Sequence, residues 1–122
     1  FKVIIAGGRT FSDYDLLCEN CDKALILQND IEIVSGTANG ADKLGEKYAN
    51  EKGYLIKQFP ADWEKYGKSA GYKRNKEMAE YADALIAFWD GESKGTKHMI
   101  DIAEKKGLEL DLVYCDAHNF NK

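Results

Sequence analysis

Hydrophobic residues follow two alternating patterns along the chain, namely short apolar runs and longer stretches with helical spacing. The short runs cover residues 2–6, 31–35, 54–59, 84–89 and 110–115. Runs of this length are typical of strands, and residues 84–89 are continuously apolar, as in a strand covered on both faces. Helical spacing covers about residues 13–28, 40–52, 71–82 and 96–107. The pattern therefore predicts five strands that alternate with four helices.

This alternation determines the expected topology. Successive strand–helix–strand units form parallel sheets with right-handed crossovers. We expect a single α/β domain with a Rossmann-like, doubly wound, parallel five-stranded sheet in the order 3-2-1-4-5. The domain covers residues 1–116, and residues 117–122 form a polar tail that we expect to be loosely ordered. Gly53 and Gly107 are placed to end two helices in left-handed caps. Residues 60–69 show no clear period, as is typical of a binding loop.

Three glycine-containing turns follow predicted strands, and they include Gly7, Gly36 and Gly91. Backbone amides at a strand-to-helix turn point outward, the helix dipole adds partial positive charge, and glycine lets a ligand approach the main chain. In doubly wound sheets, ligands bind at the carboxyl ends of the strands, where the strand order reverses. The turns therefore predict an anion site between the first and fourth strands. Taken singly, each turn is also explained by its tight geometry.

The charge of the chain narrows the choice of ligand. A net charge of −4 disfavours binding to a nucleic-acid backbone, which needs a basic face. Among the 17 basic residues, only Arg9 and Arg74 are arginines, and both stand where loops meet predicted strands or helices. The guanidinium group offers a planar fork for phosphate or carboxylate. Unless they are ordinary surface side chains, these arginines are candidates for neutralising a small phosphorylated ligand.

The other candidates supply main-chain contacts, hydrogen bonds and stacking. Ser35, Asn75 and Thr96 would donate hydrogen bonds, and Trp63 or Trp89 would stack on a base. Trp63 is equally explained as packing at the edge of the core. The candidate ligand-binding residues are Gly7, Gly8, Arg9, Thr10, Ser35, Gly36, Thr37, Asn39, Gly40, Asp42, Trp63, Arg74, Asn75, Trp89, Asp90, Gly95 and Thr96.

The sequence does not contain the motifs of several common enzyme classes. No G-x-G-x-x-G follows the first strand and no G-x-x-x-x-G-K-[ST] occurs, so dehydrogenase and kinase chemistry are not supported and no cofactor is expected. No metal is expected either, because no His/Cys/carboxylate cluster has metal-ligand spacing. We expect His98 to face solvent. Cys18 and Cys21 form C-x-x-C inside a helical pattern, which favours free thiols that pack in the core.

The cysteine count and the hydropathy indicate the compartment. Three cysteines without framework spacing fit a reducing environment. No apolar run approaches the ~20 residues that a membrane span needs. We therefore expect a cytoplasmic protein, in a bacterial cell or a phage-infected host, without a membrane partner. The sequence leaves open a homo-oligomer that pairs through helices or an edge strand.

Several spaced motifs, taken together, resemble the YspA-like branch of the SLOG superfamily, which is related to Smf/DprA and Lonely Guy proteins. The motifs, in order, are GGR (7–9), VSGTANGAD (34–42), FPADW (59–63), GKSAG (67–71), RN (74–75) and AFWDG leading to GT (87–96). The resemblance covers about residues 2–115. It implies a Rossmann-like fold and binding of nucleotides or nucleotide-derived molecules, including ADP-ribose-type signals. Other branches hydrolyse nucleoside monophosphates or bind single-stranded DNA.

The hydrolase branch carries an arginine ahead of the fourth strand and a P-G-G-x-G-T-x-x-E motif after it. By this resemblance, Arg74 matches the arginine and Gly95-Thr96 match the G-T pair, whereas Met99 stands in place of the glutamate. A methionine can neither stabilise an oxocarbenium ion nor activate water. The glutamate's chemistry therefore does not carry over to this chain.

Three functions follow, in order of preference. The first is binding, for sensing or sequestering, of a phosphorylated nucleotide-derived small molecule such as an ADP-ribose-type signal. The second is a phosphoribohydrolase-like enzyme that cleaves the N-glycosidic or phosphate bond of a nucleotide, with Asp90, Glu92 or Asp62 replacing the missing glutamate. The third is a scaffold or nucleic-acid-processing protein, which the acidic composition disfavours.

Overall fold

Five parallel strands form the centre of the fold in the computed structural model, which describes residues 1–120. The sheet order is 3-2-1-4-5, which confirms the predicted topology. The strands are β1 (Lys2–Gly7), β2 (Glu32–Ser35), β3 (Leu55–Gln58), β4 (Ala84–Trp89) and β5 (Glu109–Tyr114). The helices are α1 (Tyr14–Leu25), α2 (Ala41–Lys52), α3 (Trp63–Tyr66), α4 (Ala70–Tyr81) and α5 (Lys94–Lys106), with 3-10 turns at Gly67–Ser69 and Ala117–Asn119.

The central strands β1 and β4 are buried because helices cover both faces of the sheet. Successive side chains of a strand point to opposite faces. Val3 and Ile5 accordingly pack in a cluster with Leu17 of α1 and Tyr48 of α2. On the other face, Ile4 packs in a second cluster with residues of α4 and α5. The two cores fix the helices around the carboxyl ends of β1 and β4, where the strand order reverses.

The predicted helix ends are correct except at α1. Gly53 and Gly107 adopt the expected left-handed conformation after α2 and α5. Helix α1 ends at Leu25, whereas the sequence pattern extended it to about residue 28. Ile26 and Leu27 are largely exposed, so continuing the helix would bury nothing further.

Residues 60–69 are helical over much of their length, which corrects the prediction of an irregular connection. Asp62 caps α3 by accepting a hydrogen bond from the amide of Lys65 at 3.1 Å. A 3-10 turn then leads directly into α4 at Ala70. A helix of four residues is too short to show a hydrophobic period, which is why the pattern did not reveal it.

The C-terminal segment packs on the domain as far as it is described. Residues 117–120 contact the loop after β1, since the amide of Ser12 donates to the carbonyl oxygen of Asn119 at 2.9 Å. The Phe120 ring lies edge-on against Phe11, with centroids 5.7 Å apart. The expectation of a loosely ordered tail was therefore wrong for residues 117–120, and residues 121–122 lie outside the described part.

The cysteines pack as predicted. Cys21 is fully buried on α1, where it contacts the same core cluster as Leu17, and Cys18 is partly buried one turn earlier. Cys115 follows β5 and is also buried. All three carry free thiols. Their positions suit small apolar side chains.

Candidate functional site

A cavity of about 450 Å³ lies at the carboxyl ends of β1 and β4, where the sequence placed the site. The turns after these two strands form two of its walls, and the N-terminal halves of α4 and α5 contribute further walls. In a doubly wound sheet this is the position at which ligands bind.

The cavity brings together eleven of the seventeen candidate ligand-binding residues. They are Gly7, Gly8, Arg9, Thr10, Asp42, Trp63, Arg74, Asn75, Asp90, Gly95 and Thr96. The cavity lining does not include the candidates Ser35, Gly36, Thr37, Asn39, Gly40 and Trp89. Of the three proposed catalytic carboxylates, Asp90 lines the cavity whereas Asp62 and Glu92 do not.

The glycine pair after β1 allows a close approach of three elements. A Cβ atom on Gly7 would lie 2.3 Å from the carbonyl oxygen of Phe88 in β4, so the position requires glycine. The amide of Gly8 donates to that same oxygen at 3.3 Å, and the carbonyl of Gly8 accepts from the amide of Ala41 in α2. These bonds place Arg9 at the mouth of the cavity, where its side chain is exposed.

Arg74 and Asp42 meet beside Gly36. The Arg74 guanidinium donates to the Gly36 carbonyl oxygen through Nη1 and to Asn75 Oδ1 through Nε at 3.0 Å. Asp42 Oδ2 accepts from the amide of Ala38 at 3.2 Å. A Cβ on Gly36 would fall 2.7 Å from Arg74 Nη1 and 2.8 Å from Asp42 Oδ2. Gly36 therefore acts by leaving room for the arginine and the carboxylate.

Burial disfavours the charged forms of Asp42 and Arg74. It raises the pKa of Asp42 to about 6, although the Ala38 amide and the positive charges of Arg74 and Arg9 act in the opposite direction. Burial also lowers the pKa of Arg74. A carboxyl group that titrates near neutral pH in a cavity wall is a feature of functional sites.

Asn75 connects α4 to the beginning of α5. Its Nδ2 donates to the carbonyl oxygen of Gly95 at 3.3 Å and lies 3.2 Å from His98 Nδ1, while its Oδ1 accepts from Arg74. His98 is partly buried, because its ring contacts that of Tyr72 at a centroid distance of 4.4 Å. His98 therefore faces solvent with only part of its surface. Burial lowers the pKa of His98.

The turn after β4 holds an ionised carboxylate. Asp90 Oδ1 accepts from the amides of Glu92 and Ser93, both at 2.8 Å, and these bonds lower its pKa. Trp89 lies beside the cavity, where its indole nitrogen donates to the Ser93 carbonyl at 3.0 Å and its ring contacts that of Tyr114. The tryptophan thus stabilises the turn.

The Ser35 side chain, at the end of β2, bonds within the protein. The Ser35 hydroxyl donates to Glu46 at 2.6 Å and accepts from the amide of Thr37. Thr37 adopts a left-handed conformation with φ 66°. A Cβ on Gly40 would lie 2.2 Å from the Gly8 carbonyl oxygen, so this glycine allows α2 to approach the turn after β1.

Some cavity residues were not among the candidates. Lys68, Tyr72 and Phe120 line the cavity along with Met78 and Met99. Lys68 belongs to the GKSAG stretch, which was a usable signal, whereas Phe120 lies in a segment whose packing no local pattern indicates. Within residues 1–120, three cations (Arg9, Lys68, Arg74) and two carboxylates (Asp42, Asp90) line the cavity.

Residues 1–120 contain no group of three or more His, Cys, Asp or Glu side chains arranged to hold a metal ion. None of the helices in this range has the length and apolar character required to cross a membrane.

A doubly wound parallel sheet in the order 3-2-1-4-5, with an arginine-lined cavity at its switch point, defines a Rossmann-like α/β domain. Residues 1–66 match the family model described as YspA, cpYpsA-related SLOG family (YAcAr). The chain is also 33% identical over 119 residues to the Gene 61 protein of Mycobacterium phage D29, covering 89% of this chain and 93% of that protein. The chain therefore belongs to the YspA, cpYpsA-related SLOG family.

Family membership bears on the class of ligand. Membership of the SLOG family suggests binding or processing of a nucleotide-related ligand. The name of the phage relative states no ligand or activity. No solved structure matches the chain.

Proposed function

We propose that this protein binds a phosphorylated nucleotide-derived small molecule, such as an ADP-ribose-type signal, in the cavity between β1 and β4. The observation that carries the proposal is the position of the arginines. Both arginines of the chain, Arg9 and Arg74, line this cavity although the net charge is −4. Arginine matches the geometry of phosphate oxygens better than lysine does.

The arginines have complementary properties for this role. Arg74 is held in place by its bonds to Gly36 and Asn75, so little conformational entropy is lost when it binds an anion. Arg9 is exposed at the mouth and is free to close on a bound phosphate. Lys68 adds a third positive charge.

The carboxylates support binding over hydrolysis. Asp90 is occupied by two amide donors and holds its negative charge, which disfavours a role as proton donor. Asp62 caps α3, and neither Asp62 nor Glu92 is part of the cavity lining. Met99 lines the cavity, and the sequence resemblance matches it to the position of the glutamate in the hydrolase branch. We therefore favour a protein that retains its ligand unchanged.

The position and raised pKa of Asp42 favour an enzyme over a binding protein. It lines the cavity and its pKa is raised to about 6, so it is suited to exchange a proton near neutral pH. A phosphoribohydrolase acting through this carboxyl group would release free base and ribose phosphate. In that case Asp42→Asn would abolish turnover while binding survives.

The test is to incubate the protein with AMP, NAD, ADP-ribose and cyclic ADP-ribose isomers, filter it, and identify by mass spectrometry what denaturation releases. We expect one compound to be released intact at stoichiometric amounts. Free base in the filtrate would show that the protein is a hydrolase. If the protein retained none of these compounds, the proposal would be refuted.

Arginine variants test the location of the site by calorimetry with the retained compound. Arg74→Ala should weaken binding by roughly 1.5–3 kcal/mol, because a charge-assisted bond is lost. Arg9→Ala should also weaken binding, and it leaves the fold intact because Arg9 is exposed. Lys23→Ala is the control, since Lys23 is an exposed cation on α1 that pairs with Glu19. Unchanged affinity in both arginine variants would contradict this location.

A further inference from the structure

Two large aromatic side chains stand exposed in the cavity wall. Trp63 is 50% exposed and Tyr72 is 45% exposed, and both line the cavity. Packing at the edge of the core accounts for the buried half of the Trp63 side chain and leaves the other half open to the cavity. Aromatic side chains of this size normally bury most of their area. Because both rings are exposed in the cavity where a ligand is expected, we infer that they contact the ligand.

The Tyr72 ring is held in position by neighbouring groups. It lies edge-on against His98 at 4.4 Å, and His98 is fixed in turn by Asn75. A ring that is already positioned loses little entropy when it stacks on a planar ligand. The indole of Trp63 lies at the first turn of α3, and the guanidinium carbon of Arg9 is 6.0 Å from its centroid.

We propose that Trp63 and Tyr72 form a stacking wall for a nucleobase, so that the site selects nucleotides over sugar phosphates. The inference rests on the proposed function and adds the part of the ligand that is recognised. Because Arg9 adjoins the Trp63 ring, a phosphate on this arginine leaves the attached nucleoside within reach of the indole. Stacking accepts any base, since every base has a π face.

Affinity measurements separate stacking from phosphate binding. Calorimetry compares AMP and ADP-ribose with ribose 5-phosphate, which carries a phosphate but no base. We expect the two nucleotides to bind roughly 5- to 150-fold more tightly, which is the range for one stacked base. Trp63→Ala should remove much of this preference, and Trp63→Phe should restore part of it because an aromatic face remains. Tyr66→Ala is the control, since Tyr66 also lies exposed on α3 but does not line the cavity.

Fluorescence supplies a direct readout, because the chain has only two tryptophans and Trp63 alone lines the cavity. Trp89 is engaged with Ser93 and Tyr114. AMP should change the tryptophan emission of the unmodified protein. Trp63→Phe should abolish this change while calorimetry still detects binding.

The outcomes distinguish the two proposals. If AMP, ADP-ribose and ribose 5-phosphate bind equally well and Trp63→Ala binds like the unmodified protein, the stacking wall is refuted while phosphate binding stands. If none of the three compounds binds, the stacking wall is refuted, and if NAD and the cyclic ADP-ribose isomers also fail to bind, the proposed function fails with it.

Discussion

At the scale of single residues, Asp42 shows how the fold perturbs a side chain. The carboxyl group lies at the beginning of α2, where a negative charge interacts favourably with the helix dipole. It is almost fully buried, and the loss of solvation outweighs the favourable effect of the Ala38 amide and the two arginines. The folded protein therefore binds a proton at Asp42 more tightly than the unfolded chain does.

The raised pKa of Asp42 predicts a specific pH dependence of stability. Its pKa rises from 3.8 to about 6, so the stabilisation by the proton is complete below pH 3.8 and is lost as the pH rises through 6. Asp42→Asn cannot titrate there. Between pH 3.5 and pH 7, the unmodified protein should therefore lose roughly 3 kcal/mol of unfolding free energy relative to Asp42→Asn.

Urea denaturation at several pH values between 3.5 and 7 measures this difference directly. The other carboxyl groups titrate in both proteins, so their effects cancel. Asp15→Asn is the matched control, because Asp15 occupies the exposed first turn of α1. A difference between Asp42→Asn and the unmodified protein that stays constant with pH would contradict the assignment.

The rarity of a residue type in this chain predicted cavity-lining residues better than a position at the end of a strand did. The rarity of arginine in this chain singled out Arg9 and Arg74, and both line the cavity. Ser35 stands at the end of a strand, yet its hydroxyl donates to Glu46, and the Trp89 indole donates to the Ser93 carbonyl. The direction of a side chain after a strand depends on local backbone angles and on partners far away in sequence, which spacing does not reveal.

At the scale of elements, β1, β4 and α2 meet at Gly7. A Cβ atom at this position would lie 2.3 Å from the Phe88 carbonyl oxygen and 2.9 Å from the Cβ of Ala41. Gly7→Ala should therefore push these elements apart and lower the unfolding free energy by roughly 1–3 kcal/mol. Thermal or urea denaturation measures the loss, and ligand affinity should fall as well because the turn carrying Arg9 shifts.

Gly95→Ala is the matched control for Gly7→Ala. Apart from its chain neighbours and the backbone of its own helix, no atom lies within 4 Å of a Cβ at Gly95, which lies in the first turn of α5. Alanine favours helix over glycine, so stability should stay the same or rise by up to about 1 kcal/mol. If Gly7→Ala were as stable as Gly95→Ala, the close approach at Gly7 would be refuted.

The elements themselves follow from the sequence where a period has room to develop. All five strands and the four long helices were predicted, since each strand is a compact apolar run and each helix extends over three turns or more. Helix α3 was missed because four residues complete only one turn. Its signal was Asp62, a capping residue ahead of Trp63, and not a hydrophobic pattern.

At the scale of the whole molecule, the sheet order gathers distant parts of the chain around one cavity. Residues from the turns after β1 and β4 were expected there from topology alone. The final segment was not, because its docking rests on long-range contacts. Asn119 Nδ2 donates to Asp13 Oδ2 at 2.8 Å across 106 positions of sequence, and Phe120 forms a bridge with Phe11. Through Phe120, the C-terminal segment thus contributes to the cavity wall from a direction that no local pattern indicates.

Phe120 is the residue through which this segment acts on both stability and binding. Its ring contacts Phe11, covers Gly8 and lines the cavity. Phe120→Ala should lower the unfolding free energy by roughly 1–3 kcal/mol, less than for a fully buried ring, and should weaken ligand binding because one wall is lost. His118→Ala in the same segment should change neither, since His118 is exposed and pairs with Asp116 at the surface. Denaturation measures the unfolding free energy of both variants, and calorimetry measures their ligand affinity. Equal values for Phe120→Ala and His118→Ala would mean that the C-terminal segment lies against the domain without contributing to the site.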